Sequence, residues 1–113
     1  MIVDALIGYT LKGAPRGAAA DLIQICNRRA KGVLSLDLHS GLDATTGAQP
    51  GTCVRADRIL TLALPKTGLR LAEGELILVD IGIPPEVFRR LDIDFKSFFG
   101  ARTWLRIARQ IEG

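Results

Sequence analysis

Carboxylate and hydroxyl side chains that could do chemistry lie at the ends of two short apolar segments. Asp4 interrupts the first segment, and Asp37 stands near the end of the second, with Ser40 three residues further on. A carboxylate and a hydroxyl in such a place can bind a cation or a ligand hydroxyl. Charged groups are rarely buried unless they are paired or bound to a metal. The same side chains could instead cap the amides of nearby loops, and the residues alone leave both interpretations open.

The glycine-rich loop at residues 8–17 approaches two phosphate-binding motifs and matches neither. Gly8 and Gly13 have the spacing of a P-loop, but Ala14 and Pro15 stand where Lys and Ser or Thr are required. Thr10 occupies the place of the second glycine in G-x-G-x-x-G. From spacing alone, we expect these glycines to serve the turn rather than a ligand.

Four other reactive side chains have ordinary interpretations. His39, the only histidine, could shuttle protons, but a solvent-facing loop residue is favoured. Lys66 could meet an anion, but a solvated lysine is favoured. Cys26 and Cys53 with a single histidine make no metal-ligand pattern. We therefore expect small buried thiols in a reducing compartment.

The order of apolar segments predicts an α/β fold with a mostly parallel sheet. Strands are predicted at residues 2–8, 33–38, 58–64 and 75–81, and helices at 18–29, 86–91 and 101–111. The first strand, helix and second strand form a βαβ unit. Because open parallel sheets bind ligands at the carboxyl ends of their strands, the loops 8–17 and 38–53 should lie side by side and form the best site.

Charge and composition limit the classes of partner. The net charge is +3, and the whole excess lies in residues 89–113, where an amphipathic helix is predicted from the spacing of Trp104, Ala108 and Ile111. The body of the chain therefore has no electrostatic footprint for nucleic acid or a membrane surface. We find no signal peptide or transmembrane segment, so a cytoplasmic location is expected.

Five blocks, in order, resemble those of a known family. Residues 3–17 resemble its "VDALFGTGLSG…PRG" segment, and residues 36–47 resemble its "IDIPSGLDADTG" segment. Later blocks are matched at residues 54–57, 65–69 and 79–84. Across roughly residues 2–85, the chain thus resembles the second half of a YjeF N-terminal domain, the NAD(P)H-hydrate epimerase family.

The resemblance implies a Rossmann-like three-layer α/β domain, whose second half spans residues 1–85 before a helical tail at 86–113. Family members interconvert the R and S epimers of NADHX and NADPHX in nicotinamide nucleotide repair, bind a potassium ion and usually dimerise. By position, Asp4 and Ser40 match two potassium ligands. Asp37 matches a ligand-contacting aspartate and is the candidate acid/base group. The nucleotide-contacting stretch corresponds to Gly8, Tyr9, Thr10, Leu11, Lys12, Gly13 and Ala14.

Departures from the family pattern define three hypotheses. The family's "GNNGGDG" loop, which supplies an Asn ligand to potassium, has no counterpart in these residues, Tyr9 and Thr10 replace Thr-Gly, and His39 replaces Pro. The chain is then an epimerase domain completed by a complementing first-half chain or a homo-oligomer, a non-catalytic YjeF-type dimerisation scaffold, or a decayed fragment. The retained Asp4, Asp37 and Ser40 favour the epimerase, whereas the missing Asn loop and the altered Tyr9-Thr10 favour the scaffold or the decayed fragment.

Overall fold

Five strands form one sheet in the order β1-β2-β3-β4-β5 in the computed structural model, which describes residues 1–109. The elements are β1 Ile2–Asp4, α1 Gly17–Arg29, β2 Val33–Leu36, β3 Arg58–Leu62, a 3₁₀ helix Thr67–Arg70, β4 Glu75–Val79, α2 Pro85–Arg90 and β5 Trp104–Ile107. β1 to β4 pair in parallel, and β5 pairs antiparallel with β4. The predicted α/β class with a mostly parallel sheet is confirmed.

Helix α1 forms the connection between β1 and β2 and covers part of the sheet. Ile23 and Cys26, three residues apart, lie on its buried face and pack with Val33, Val54 and Ala56. Arg28 and Arg29 occupy its last turn, where positive charge is favourable beside the carbonyl ends. Full burial of a side chain such as Ile23 contributes about 2 kcal/mol, so packing rather than intrinsic propensity holds this helix.

The two faces of the sheet differ in burial. The strand registers place Ser35, Ile59, Leu76 and Ile107 in one row across β2 to β5. On this face a core cluster packs over the sheet, formed by Leu38, Leu42, Ile59, Leu69, Ala72 and Leu76. The opposite face carries the intervening apolar side chains, which stay half-buried or exposed: Val3, Leu34, Leu36, Leu60, Leu62, Ile77 and Val79. Parallel strands are normally covered on both faces, and this sheet is well covered on one.

The structure corrects the prediction for the end of the chain. A short helix predicted at 86–91 is present as α2, but the helix predicted at 101–111 is wrong in its described part, where β5 forms instead. Residues 110–111 lie outside the described residues. A four-residue apolar pattern is too short to distinguish the two-residue period of a strand from the period of a helix. The edge of β4 decides between them, because its backbone groups hydrogen-bond to residues 104–107. Accordingly, the tail at 86–113 is not a helical unit over its described residues.

Side-chain contacts fix β5 against β4 and the core. Ile107 packs against the core cluster, whereas Trp104 is largely exposed. Arg106 forms an ion pair with Glu75 of β4 at 2.5 Å. Arg109 donates to the backbone carbonyls of Leu69 and Gly74 at 3.1 and 2.6 Å. These contacts join the end of the described chain to the sheet.

The strands are shorter than the apolar runs that predict them. β1 ends at Asp4, although the apolar run continues to residue 8, because the amide of Ile7 donates to the Ser40 hydroxyl instead of to a strand. Within residues 1–109, neither helix has the length and apolar composition needed to cross a bilayer.

The strand and helix interpretations of the tail predict different effects of alanine substitution. In β5, Ile107 faces the core and Trp104 faces outward. We expect Ile107→Ala to lower the free energy of unfolding by about 1–2 kcal/mol, since it removes packed methylene groups. Trp104→Ala should change it by less than about 0.5 kcal/mol. Urea titrations of the two variants measure this difference, and a larger loss for Trp104→Ala would contradict the strand.

Candidate active site

The carboxylate of Asp4 is buried at the carboxyl end of β1, with 3 % of the residue exposed. One carboxylate oxygen, Oδ2, accepts from the Ser35 hydroxyl at 2.7 Å and from the backbone amide of Ser40 at 2.9 Å. The other, Oδ1, accepts from the Ser40 hydroxyl at 2.5 Å and from the backbone amide of Leu6 at 3.4 Å. Asp4 thus ties its own strand to β2 and to the loop that follows β2.

The two loops at this end of the sheet lie side by side, as predicted. Besides accepting from the amide of Ile7 at 2.8 Å, the Ser40 hydroxyl lies 3.4 Å from the Ile7 carbonyl. Gly41 follows with φ +105°, and a Cβ there would lie 2.3 Å from the carbonyl of Thr52. Only glycine allows this backbone path, so Gly41 fixes the position of Ser40.

The loop stretch from Gly8 to Ala14 is mostly exposed. Tyr9 has 69 % of its surface exposed, and Leu11 and Ala14 are half-buried. Near its end the loop passes close to the second loop, since a Cβ on Gly51 would lie 2.7 Å from that of Ala14. Among the described residues, no hydrogen bond joins this stretch to Asp37. The seven-residue stretch predicted to meet a nucleotide is therefore mostly open to solvent at the end of the sheet.

Asp37 lies just past the end of β2 and is held by an unexpected partner. Its backbone amide continues the parallel ladder by donating to Leu60 at 2.7 Å, and its φ of +70° turns the chain away from the strand. Its Oδ1 accepts from the ammonium of Lys66 and, at 3.4 Å, from the amide of Leu62. Lys66 was expected to be solvated, and the structure corrects this: it forms an ion pair at the carboxyl end of β3.

A signal for Lys66 was present in the sequence. Pro65 ends the third predicted strand, so the next residue must lie at the same sheet edge as Asp37. The strand-end rule that selected the loops after β1 and β2 applies to β3 as well.

His39 is a buried structural residue, which corrects the expectation of a solvent-facing one. It has 4 % of its surface exposed. Its Nε2 donates to the carbonyl of Glu73 at 3.0 Å, and its Nδ1 accepts from the amide of Ala56 at 3.3 Å. Burial lowers the pKa of His39, which favours the neutral ring that this arrangement requires. With both nitrogens engaged, the ring has no proton to exchange with a ligand.

Both cysteines are free thiols, and neither has reactive character. Burial raises the pKa of the Cys53 thiol to about 11 and also raises that of the buried Cys26. A thiol with a raised pKa is a weak nucleophile at neutral pH. Within residues 1–109, no group of three or more His, Cys, Asp or Glu side chains is placed to hold a metal.

The Asp4 carboxylate and the Ser40 hydroxyl beside it form what we call the Asp4 centre. This centre carries a buried negative charge that is not balanced by a positively charged side chain among residues 1–109. None of the ion pairs among residues 1–109 includes Asp4. Its partners are neutral hydroxyls and amides, which leave a net negative charge beside the Ser40 and Ile7 oxygens. Buried charges are normally paired or bound to a metal, and oxygen donors suit a hard cation. The donor set therefore fits part of a cation's coordination shell.

Comparison with known proteins gives consistent matches. The family model described as "YjeF-related protein N-terminus" matches residues 1–68. A protein of Dehalogenimonas lykanthroporepellens named NAD(P)H-hydrate epimerase is 49 % identical over 110 residues, covering 95 % of this chain and 44 % of that protein. A protein of the same name from Truepera radiovictrix is 39 % identical over 107 residues, covering 93 % of this chain and 48 % of that protein.

The fold has a solved counterpart. The crystal structure of the yeast protein ynu0 matches 93 % of this chain and 45 % of its own with a TM-score of 0.72, at 18 % identity. That match supports the predicted fold. The chain spans about half the length of the curated relatives it matches, 44 % and 48 % for the two named above.

The buried role of His39 predicts a stability effect. We expect His39→Ala to lower the free energy of unfolding by about 2–3 kcal/mol, because the Glu73 carbonyl and the Ala56 amide lose their partner. Gln49→Ala, an exposed change in the same loop, is the control and should be nearly neutral. Equal urea midpoints for the two variants would show that His39 is dispensable to the fold.

Proposed function

The chain belongs to the family of YjeF-related N-terminal domains, and from this premise we propose that it provides the second half of an NAD(P)H-hydrate epimerase site. The substrates would be NADHX and NADPHX, whose R and S epimers the complete site interconverts. The observation that carries the proposal is the shared position of Asp4, Ser40 and Asp37. Asp4 comes from one sequence block, and Asp37 and Ser40 come from another; Ser40 hydrogen-bonds to Asp4, and Asp37 follows the neighbouring strand β2 at the same end of the sheet.

The family resemblance implies a bound potassium ion, and we propose that this ion binds at the Asp4 centre. Asp4 and Ser40 would hold it, since their oxygens are adjacent and the charge of Asp4 has no cationic partner among residues 1–109. When bound, the ion would supply positive charge near the reacting end of the nucleotide. The remaining ligands would come from the other half of the domain, because two side chains cannot fill the shell of a hard cation.

Asp37 is the proposed acid/base group. The substrate carbon carries a hydroxyl next to a ring nitrogen, and its inversion requires the C–O bond to break and reform on the opposite ring face. A proton must reach the departing oxygen, and the returning water must lose one. A positioned carboxyl group performs both transfers, typically for a gain of about 10²- to 10⁴-fold.

The surfaces of the sheet support completion by a further polypeptide segment. β1 lies at the sheet edge with Ile2 and Val3 exposed, the latter to 56 %. The adjoining sheet face carries the apolar row that includes the exposed Leu36 and the half-buried Leu60. An exposed parallel edge beside an apolar face is a surface for strand addition and helix packing. The first half of a family domain is the proposed occupant.

The same surface favours a second candidate function. A non-catalytic dimerisation module would use the exposed edge of β1 and its apolar face to bind a second copy or another chain. This alternative does not require Asp37 to contact a ligand. The assay below therefore separates the two functions.

The decisive assay measures epimerisation of S- and R-NADHX by the purified chain with potassium. The chain is tested alone and mixed with the segment of the Dehalogenimonas relative that precedes the match, chosen because of its 49 % identity. We expect activity in the mixture and a loss of about 10²-fold or more in kcat for Asp37→Asn. Asp80→Asn is the matched control, an exposed aspartate after β4.

Each outcome of this assay has a distinct meaning. Activity of the chain alone would show that its residues, or a homo-oligomer of them, complete the site. Activity only in the mixture supports a complementing first half. Absence of activity in both, with a stable complex detected by light scattering, would reject the epimerase in favour of the dimerisation module.

Potassium linkage tests the metal assignment independently of activity. In the complex, potassium chloride should give a higher melting temperature than tetramethylammonium chloride. The difference should be about 4 °C for each kcal/mol by which potassium binding stabilises the folded state. Asp4→Ala and Ser40→Ala should each abolish that difference. Ser35→Ala is the control, because it removes one hydrogen bond to Asp4 but no proposed ligand. Equal potassium shifts in wild type, Asp4→Ala and Ser40→Ala would remove the assignment.

A further inference from the structure

Lys66 contacts the proposed acid/base residue directly, although the residues are 29 positions apart in the chain. The two side chains belong to neighbouring parallel strands: Asp37 follows β2, and Lys66 follows β3. Their exposed side-chain fractions are 24 % for Lys66 and 18 % for Asp37. The pair is therefore shielded from most solvent while still reaching the surface of the sheet end.

The protons of Lys66 are already engaged. Its ammonium donates to Asp37 Oδ1, to the carbonyl of Leu62 at 3.0 Å and to the hydroxyl of Thr61 at 3.5 Å. A lysine ammonium has three protons, and this arrangement gives each an acceptor. Lys66 therefore has no free proton for a substrate oxygen, which argues against a role as the acid itself.

The two oxygens of the Asp37 carboxylate are in different situations. Oδ1 accepts from both Lys66 and the amide of Leu62. Within the described part of the chain, Oδ2 has no hydrogen-bond partner. Two donors on one oxygen fix the rotation of the carboxylate plane and leave the other oxygen available.

The backbone on both sides of the pair has an uncommon conformation. Asp37 and Ala63 have φ of +70° and +62°, in the left-handed region that non-glycine residues rarely adopt. Each stands immediately after its strand, and the turn at Ala63 and Pro65 brings Lys66 back over the end of β3. Left-handed non-glycine residues cluster at functional sites, where the surrounding structure holds them.

From these contacts we propose that Lys66 is a positioning residue for Asp37, anchoring Oδ1 so that Oδ2 is the oxygen that exchanges a proton with the nicotinamide hydrate. The proposal rests on the epimerase function stated above. In the reaction, the Asp37 carboxylate takes up a proton from solvent at Oδ2, while Oδ1 stays bound to Lys66. Oδ2 gives this proton to the departing hydroxyl, which leaves as water while the ring nitrogen lone pair forms a C=N bond. Water then adds to the opposite face, and Oδ2 takes one of its protons. The reaction is balanced in atoms and electrons, and Asp37 returns to its initial protonation state when Oδ2 releases this proton to solvent.

The first test detects the pair without any activity. In proton–nitrogen NMR spectra of lysine ammonium groups, we expect Lys66 in the isolated chain to exchange its protons with water at least about tenfold more slowly than Lys31, an exposed lysine. Asp37→Asn should remove this protection. A Lys66 signal that exchanges as fast as that of Lys31 would overturn the proposal.

The second test separates positioning from a general structural role. In the active mixture, Lys66→Met should lower kcat about 10- to 100-fold with KM nearly unchanged, since a misplaced catalytic group loses rate rather than binding. Lys66→Arg should recover most of kcat, and Lys31→Met should leave both constants unchanged. Melting temperatures identify any unfolded variant, and Lys66→Gln replaces Lys66→Met if the latter fails to fold.

The outcomes distinguish this inference from the function on which it rests. An active wild type whose kcat is unaffected by Lys66→Met and Lys66→Gln overturns the role of Lys66 alone. Equal loss in Lys66→Arg and Lys66→Met would also overturn it, since the charge and donors would then not matter. A wild-type mixture without activity overturns the epimerase function, and the positioning role of Lys66 in that reaction with it.

Discussion

The buried carboxylate of Asp4 is the contact on which the arrangement of the sheet end depends. A charge in an apolar strand is costly to bury, so it must be surrounded by donors. Those donors come from β2 through Ser35 and from the next loop through both the amide and the hydroxyl of Ser40. The hydrogen bonds that these groups donate to Asp4 therefore hold β1 against β2. They also hold Ser40 next to the start of the loop after β1, which continues into the Gly8–Ala14 stretch.

The charge of Asp4 also defines what this end of the sheet can bind. Neutral donors spread the negative charge without cancelling it, and the described chain offers Asp4 no cationic side chain. Asp37, by contrast, is paired with Lys66. The two carboxylates thus have different electrostatic surroundings at adjacent strand ends, which supports the different tasks that we propose for them: attraction of a cation at Asp4 and proton transfer at Asp37.

The uneven burial of the sheet follows from the amount of chain that covers it. α1, the loop after β2 and the 3₁₀ helix supply one layer, and the core cluster lies beneath it. The other face retains an apolar row with little cover, although a parallel sheet requires cover on both sides. The chain also spans about half the length of its curated relatives. Among residues 1–109, this poorly covered face and the edge of β1 are the surfaces at which we propose that the first half of a family domain packs.

The sequence by itself determined the β-α-β order, the parallel sheet, the strand end that carries Asp4, the loop that carries Asp37 and Ser40, and the family. These features depend on local apolar runs, on turn residues and on ordered blocks, all of which can be read along the chain. Only the tertiary structure decided that residues 104–107 form a strand, because a short apolar pattern fits either period until the free edge of β4 supplies hydrogen-bond partners. It also decided that His39 is buried against Glu73 and that Lys66 binds Asp37, contacts across 34 and 29 residues. Such distant contacts are fixed by the register of neighbouring strands, which no local spacing specifies.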